Sequence, residues 1–245
     1  MLRDTVITPD WPAPDNVRAL CTTRNGGRSH RPFDSLNLAG HVGDEPRRVR
    51  ENRQFIIDEL ELPAEPAWLD QQHGRIAVSI DRGVPDISAD AAVSHRSDRV
   101  CAVLTADCLP VLLCDSDGTR VAAVHAGWRG IAAGVIEAAV EALLPTGRQL
   151  LAWLGPAISA ACYEIDAPVR DRLLGGCTNP DAAFAATRPG HWNLDLSELA
   201  RQRLQQVGVG QIFGGELCTY SDQRFYSHRR DGRCGRIASL IWLAD

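Results

Sequence analysis

The chain of 245 residues carries 26 lysines and arginines against 31 aspartates and glutamates, a formal net charge of −5, with 44% hydrophobic and 23% charged residues. That length can bury a full core, and the composition is that of a soluble globular protein. The acidic balance argues against nucleic acid as the main partner, which needs a basic face, and no apolar run approaches membrane-spanning length, so no membrane partner is expected.

The opening stretch "MLRDTVITPDWPAPDNV" lacks the basic-then-apolar pattern of a secretion signal, so a cytoplasmic location is expected. "VRALCTTR" predicts a short strand, and "NGGRSHRPFDSLNLAGHVGD" a loop of a length usually reserved for function. "EPRRVRENRQFIIDELEL" predicts an amphipathic helix with Asp44 as N-cap, Pro46 in the first turn, and Val49, Phe55, Ile56 and Leu60 on one face. Short apolar strands follow at "AWLDQ", "IAVSI", "DAAVS", "VCAVLT", "PVLLC" and "VAAVHA". A helix is expected over "GIAAGVIEAAVEALL", then a strand at "LLAWLG", a strand near Tyr163, a helix near 167–174 and another near 196–206. Asp195 and Glu198 form a plausible capping pair for that last helix, and "GRIASLIWL" predicts a closing strand. Strands arrive in runs and do not alternate with helices, so the expected fold is α+β: mixed sheets layered with helices in one domain over residues 1–245.

Eight cysteines stand at 21, 101, 108, 114, 162, 177, 218 and 234, none in a C-x-x-C pair. Reduced thiols fit this spacing better than a disulfide framework.

Two strand ends hold the residues with chemistry. In "VAAVHAGWRG", His125 closes a strand, Gly127 and Gly130 permit a tight turn, and the following helix opens with unpaired N–H groups. With Arg129 this makes either an anion site or a plain glycine turn bearing a surface arginine. In "TADCLPVLLCD", Cys108 precedes Pro110. An extended 105–109 would point Asp107 and Cys108 to opposite faces, so only a bent strand would show both to one site. His73 lies in the polar turn "DQQHGRI". Taken singly, Cys108 reads as core and His73 as surface.

Together, "WLDQQHG", "TADCLPVLLCD", "VAAVHAGWRG" and "WLGPAI" closely resemble the YfiH family, also called laccase-domain or polyphenol-oxidase-like. The resemblance continues through "TTRNGGRS", "SLNLAGHVGD", "IFGGELCTY" and "FYSHRRDGRCGRIASLIWL", in order over nearly the whole chain. It implies a zinc site built from His73, Cys108 and His125. Three N/S ligands with an open position are indeed the catalytic form of zinc. The same trio is the blue-copper set, but a multicopper oxidase needs many more histidines, partly in H-x-H pairs, and this chain has seven, none so paired. Copper, as in a polyphenol oxidase, is the lesser expectation.

The resemblance further implies phosphorolysis of adenosine, inosine and 5′-methylthioadenosine, and deamination of adenosine, with purine nucleosides and phosphate as small-molecule partners. On this reading Asp107 is the expected proton carrier. Arg129 or Arg24 would hold phosphate, and Asn37 and His41 ribose or base, with turn chemistry an equal alternative for Asn37. Cys162 reads as packing, with Glu164 near it. His228, Arg229 and Arg230 in "SHRRD" read as a solvated basic face. One rival is a metal-independent hydrolase in which Cys108 and His125 form a thiolate–imidazolium pair. The family fold is grouped with cysteine hydrolases, and some relatives are linked to amide hydrolysis in peptidoglycan-precursor editing. That scheme leaves His73 without a task. A non-catalytic metal- or nucleotide-binding module ranks last.

Overall fold

The computed structural model describes residues 5–83, 88–143 and 149–244. In chain order the elements are β1 (Val6–Ile7), β2 (Val17–Thr22), α1 (Pro46–Glu59), β3 (Ala77–Ser79), β4 (Ala91–Ser94), β5 (Val100–Thr105), β6 (Leu109–Asp115), β7 (Val121–Ala126), α2 (Trp128–Ala133) and α3 (Val135–Leu143). There follow β8 (Leu150–Leu154), β9 (Glu164–Asp166), α4 (Ala167–Leu174), α5 (Pro180–Ala183), β10 (Phe184–Ala186), β11 (His191–Leu194), α6 (Leu196–Gln206), β12 (Gln211–Gly214), α7 (His228–Asp231) and β13 (Ile237–Leu243). No described helix is long and apolar enough to cross a membrane.

A six-stranded sheet runs β12-β8-β6-β7-β4-β3, and a four-stranded sheet runs β1-β2-β13-β5. In the larger sheet only the outer pairs β12–β8 and β4–β3 are parallel; a small antiparallel sheet, β10-β11-β9, stands apart. The period-2 alternation of strand side chains explains the layering. Along β6, Val111 and Leu113 pack with the core under α3 and α6, while Leu112 and Cys114 pack with the core shared by the two large sheets. Along β13, Ile237 and Ile241 face that shared core, and Ala238, Leu240 and Trp242 face a third core containing Ile56 of α1. Both large sheets are therefore covered on both faces, giving a helix–sheet–sheet–helix stack and the expected α+β class. Doubly buried strands explain why β5, β6, β7 and β13 read as continuous apolar runs.

Several local expectations change. The cap residue of α1 is Glu45, without a side-chain bond to the helix. Asp44 sits one residue earlier, taking Ser29 Oγ at 2.6 Å and Asn37 Nδ2 at 2.9 Å, which ties down the long loop instead. The helix expected over 130–144 breaks at Gly134, whose φ of 93° is left-handed, into α2 and α3; its last residue, Leu144, lies outside the described residues. "AWLDQ" makes only isolated bridges, Ala67 to Cys101 and Asp70 to Ser88. Helices α4 and α6 start at Asp166 and Asp195, whose carboxylates accept from Val169 N and Glu198 N.

Candidate metal centre

The site forms where β5, of the four-stranded sheet, leads into the start of β6 and where β7 ends, at one end of the central strands of the larger sheet. Register pairs Pro110 of β6 with His125 of β7, which puts Cys108 beside the end of β7. Between β5 and β6 the chain bends at Ala106–Cys108 and does not run extended, with Asp107 at φ 89°. The bend lets Asp107 and Cys108 line the same cavity, as an extended strand would not. After β7 the backbone passes so close to the thiol that a Cβ on Gly127 would lie 2.9 Å from Cys108 Sγ and 3.2 Å from His73 Cδ2. Glycine is required there for proximity.

His73, Cys108 and His125 converge, their ligand atoms all within 4.8 Å of one another. His73 Nε2 is 3.9 Å from Cys108 Sγ. The two imidazoles meet edge to face at 4.7 Å between centroids. One buried carboxylate, Asp90, organises this geometry. Its Oδ1 accepts His125 Nδ1 at 2.8 Å and His73 N at 2.9 Å. Its Oδ2 accepts Gly74 N at 2.7 Å and Gln72 N at 3.2 Å. Asp90 thus fixes the His125 ring with Nε2 turned away from it, and holds the His73 turn, where His73 itself has φ 57°.

Charges follow from these contacts. Burial opposes ionisation of Cys108, but His125 and His73 outweigh it and bring the thiol down to about 6. Burial also opposes a charged His125, but Cys108 and Asp90 raise the ring to about 9. The Asp90 carboxyl is held below the usual carboxylate range: burial works against this, and the bonds from His125 and Gly74 prevail. A thiolate and two oriented imidazoles form a donor set that suits a borderline-soft ion.

The cavity in front of these donors measures about 200 Å³ and is lined by Asp107, Trp128, Arg129, Ile158, Tyr163, Leu196, His228 and Arg229 besides His73 and Cys108. It adjoins a second of about 540 Å³ through shared walls at Trp128, Tyr163 and Arg229. Arg129 lies over the Trp128 ring at 4.4 Å and Arg229 over Tyr163 at 5.0 Å. Neither guanidinium has a carboxylate in ion-pairing range among the described residues.

Of the loop residues singled out by sequence, none lines this cavity. Asn37 is fully buried; its Nδ2 donates to Ala39 O and Asp44 Oδ2, and its Oδ1 accepts from Ala39 N and Arg236 N, so no hydrogen-bonding capacity faces a ligand. Its role is the turn chemistry. Arg24 binds Asp34 O at 2.8 Å, stacks on Tyr226 and lines a different hollow with Arg31, Asp34 and Arg233. His41 is exposed at one side and shielded from water at the other, and that partial desolvation, then the charge of Arg236, lowers its imidazole pKa. Cys162 packs against the helix-side core, and Glu164 pairs with Arg188 at 2.6 Å in the outer cavity. The solvated face expected of "SHRRD" is only partly so: His228 and Arg229 reach the cavity, while Arg230 pairs with Asp231. Trp128 stood in the "VAAVHAGWRG" stretch without being singled out, and Asp90 and Tyr163 had no motif to mark them, although Asp90 heads a buried strand, an uncommon place for an unpartnered acid.

Similarity to known proteins runs over nearly the whole chain. Residues 18–244 match the family model described as multi-copper polyphenol oxidoreductase laccase. Over 241 residues the chain is 51% identical to a Pseudomonas aeruginosa protein named purine nucleoside phosphorylase PA4543, covering 98% of each. It is 47% identical to the Escherichia coli protein named purine nucleoside phosphorylase YfiH, covering 97% of this chain and 98% of that one. The crystal structure of Neisseria meningitidis protein NMB0706 superimposes with a TM-score of 0.93 at 45% identity, covering 98% of this chain and 100% of that one.

Proposed function

Because the chain belongs to the family described as multi-copper polyphenol oxidoreductase laccase, with close relatives named purine nucleoside phosphorylase, we propose that it is an enzyme cleaving purine nucleosides with phosphate. The substrates we assign are adenosine, inosine and 5′-methylthioadenosine, with deamination of adenosine as a second activity. The observation that carries this reading is the convergence of His73, Cys108 and His125 on a cavity walled by two aromatic rings and two arginines whose guanidinium groups meet no carboxylate among the described residues.

Each part of the wall has a task in such a reaction. Trp128 and Tyr163 offer ring faces to a purine. Arg129 and Arg229 offer charge-assisted donors to phosphate beneath the sugar. The inner chamber of about 200 Å³ is smaller than a typical ligand pocket of roughly 300–1,000 Å³, so nucleoside and phosphate together extend over the Trp128–Tyr163 lip into the outer chamber. Asp107 reaches the cavity, but both carboxylate oxygens already accept hydrogen bonds, from Thr219 Oγ1 at 2.6 Å and Arg229 N at 2.7 Å. We therefore give it the task of positioning Arg229, in place of the proton carrier expected from sequence.

The ion we assign to His73, Cys108 and His125 is zinc, which when bound supplies Lewis-acid polarisation. Copper chemistry of the polyphenol oxidase kind would call for further histidine clusters, and this is the one such donor group among the described residues. The eight cysteines are all free thiols, which suits a reducing cytoplasm.

A second reading rests on the Asp90–His125–Cys108 chain, which has the order of a cysteine-hydrolase triad. Metal analysis of protein purified without added zinc separates the two: near-stoichiometric metal supports phosphorolysis at a metal centre. Metal-free active protein, alkylated and inactivated at Cys108, supports the hydrolase. For the main reading, adenosine is incubated with and without phosphate, using metal-loaded and chelated protein. Adenine and ribose 1-phosphate should form only with phosphate and metal, and Cys108→Ala or His125→Ala should abolish both. Unchanged release of adenine by those variants would refute the proposal.

A further inference from the structure

Departure of a purine from its ribose needs a proton on the base, and the cavity wall holds few groups able to give one. Each oxygen of Asp107 is already engaged, one by the Thr219 hydroxyl and the other by the Arg229 amide. His73 and Cys108 are proposed ligands, and Arg129 and Arg229 are permanent cations. The Tyr163 phenol is pushed well above its ordinary range, first by burial and then by Cys108, so it does not yield its proton. One side chain is left. His228, the first residue of α7, lines the inner chamber with its Nδ1 2.8 Å from Gly232 O. A carbonyl can only accept, so Nδ1 carries hydrogen, and Nε2 is the nitrogen free to exchange a proton. The turn is held independently of the ring, because Ser227 caps Arg230 N, Gly232 N bonds to His228 O and Asp107 accepts Arg229 N.

We propose that His228 is the general acid of the nucleoside cleavage, delivering its Nε2 proton to the purine; this rests on the phosphorolysis reading. In the step, an oxygen of hydrogenphosphate forms a bond to C1′ as the bond from C1′ to N9 breaks, and that electron pair passes into the purine ring. Imidazolium His228 protonates a ring nitrogen, releasing neutral base. The neutral imidazole then takes the proton the phosphate brought in, leaving ribose 1-phosphate and a recharged His228. Protons and charge balance with no further reactant.

The test compares inosine with 7-methylinosine, whose ring already carries positive charge and leaves without protonation. His228→Asn can keep a donor to Gly232 O, and His228→Gln serves as a second variant; bound metal and Tm report whether each folds. Loss of a general acid should lower kcat on inosine about 100-fold while leaving 7-methylinosine within roughly threefold of wild type. Equal loss on both substrates, or loss on neither, would overturn the role of His228 and leave phosphorolysis standing. Wild-type protein that cleaves neither nucleoside with phosphate would overturn both.

Discussion

One cysteine, Cys108, stands just before strand β6 and another, Cys114, near its far end, and the two fare oppositely. Cys114 is fully buried between the large sheets, and burial followed by the charge of Asp115 raises its thiol to about 12. Cys108, against the same β7 neighbour, is brought to about 6 by two histidines. The polar groups differ in the same way. Beyond Cys114, Asp115 closes a hairpin from within, accepting Thr119 N at 2.7 Å and Arg120 N at 3.0 Å. At the other end Asp90 serves residues from two distant segments. Locally satisfied polar groups stabilise a turn; groups satisfied only by convergence create a reactive surface.

This contrast can be broken at its strongest point first. Asp90→Asn removes a charged acceptor shared by His125 and the His73 turn, and metal affinity should fall about 10–100-fold, read by chelator competition. Asp115→Asn keeps an acceptor and should leave phosphorolysis by folded protein unchanged, with unfolding stability reduced by about 1 kcal/mol in urea titration. A smaller effect concerns Cys218. Burial there is opposed and outweighed by hydrogen bonds from Ser159 and Ser221, and its thiol is lowered to about 6. Its thiolate fraction grows as pH rises through that value, so iodoacetamide labelling mapped by mass spectrometry should fall by half as pH drops to about 6. Cys114 should stay unlabelled throughout.

The stack of sheets was legible because its strands are buried on both faces, leaving unbroken apolar runs at Val100–Thr105 and Val121–Ala126. Helix α6 was legible from its aspartate cap, Asp195. The strand expected near Tyr163 is β9, but strands β10 to β12, of three or four residues, lack enough length for a pattern to emerge. At the site, the three donors were visible only as a set of motifs. Asp90 was not, since nothing within its own segment tells that its carboxylate serves residues 17 and 35 positions away. Asn37 misled for a related reason: an asparagine in a long loop looks available to ligand, yet the loop folds inward and consumes it.

The carboxylate of Asp90 also sets when, during synthesis, this centre can exist. Its partners span His73 to His125, and the thiol arrives between them, so a ribosome-bound chain lacking β7 has neither an oriented imidazole pair nor the glycine that lets the backbone approach. A chain that ends before β7 therefore cannot assemble this donor set, and any loading must follow the pairing of β4, β6 and β7.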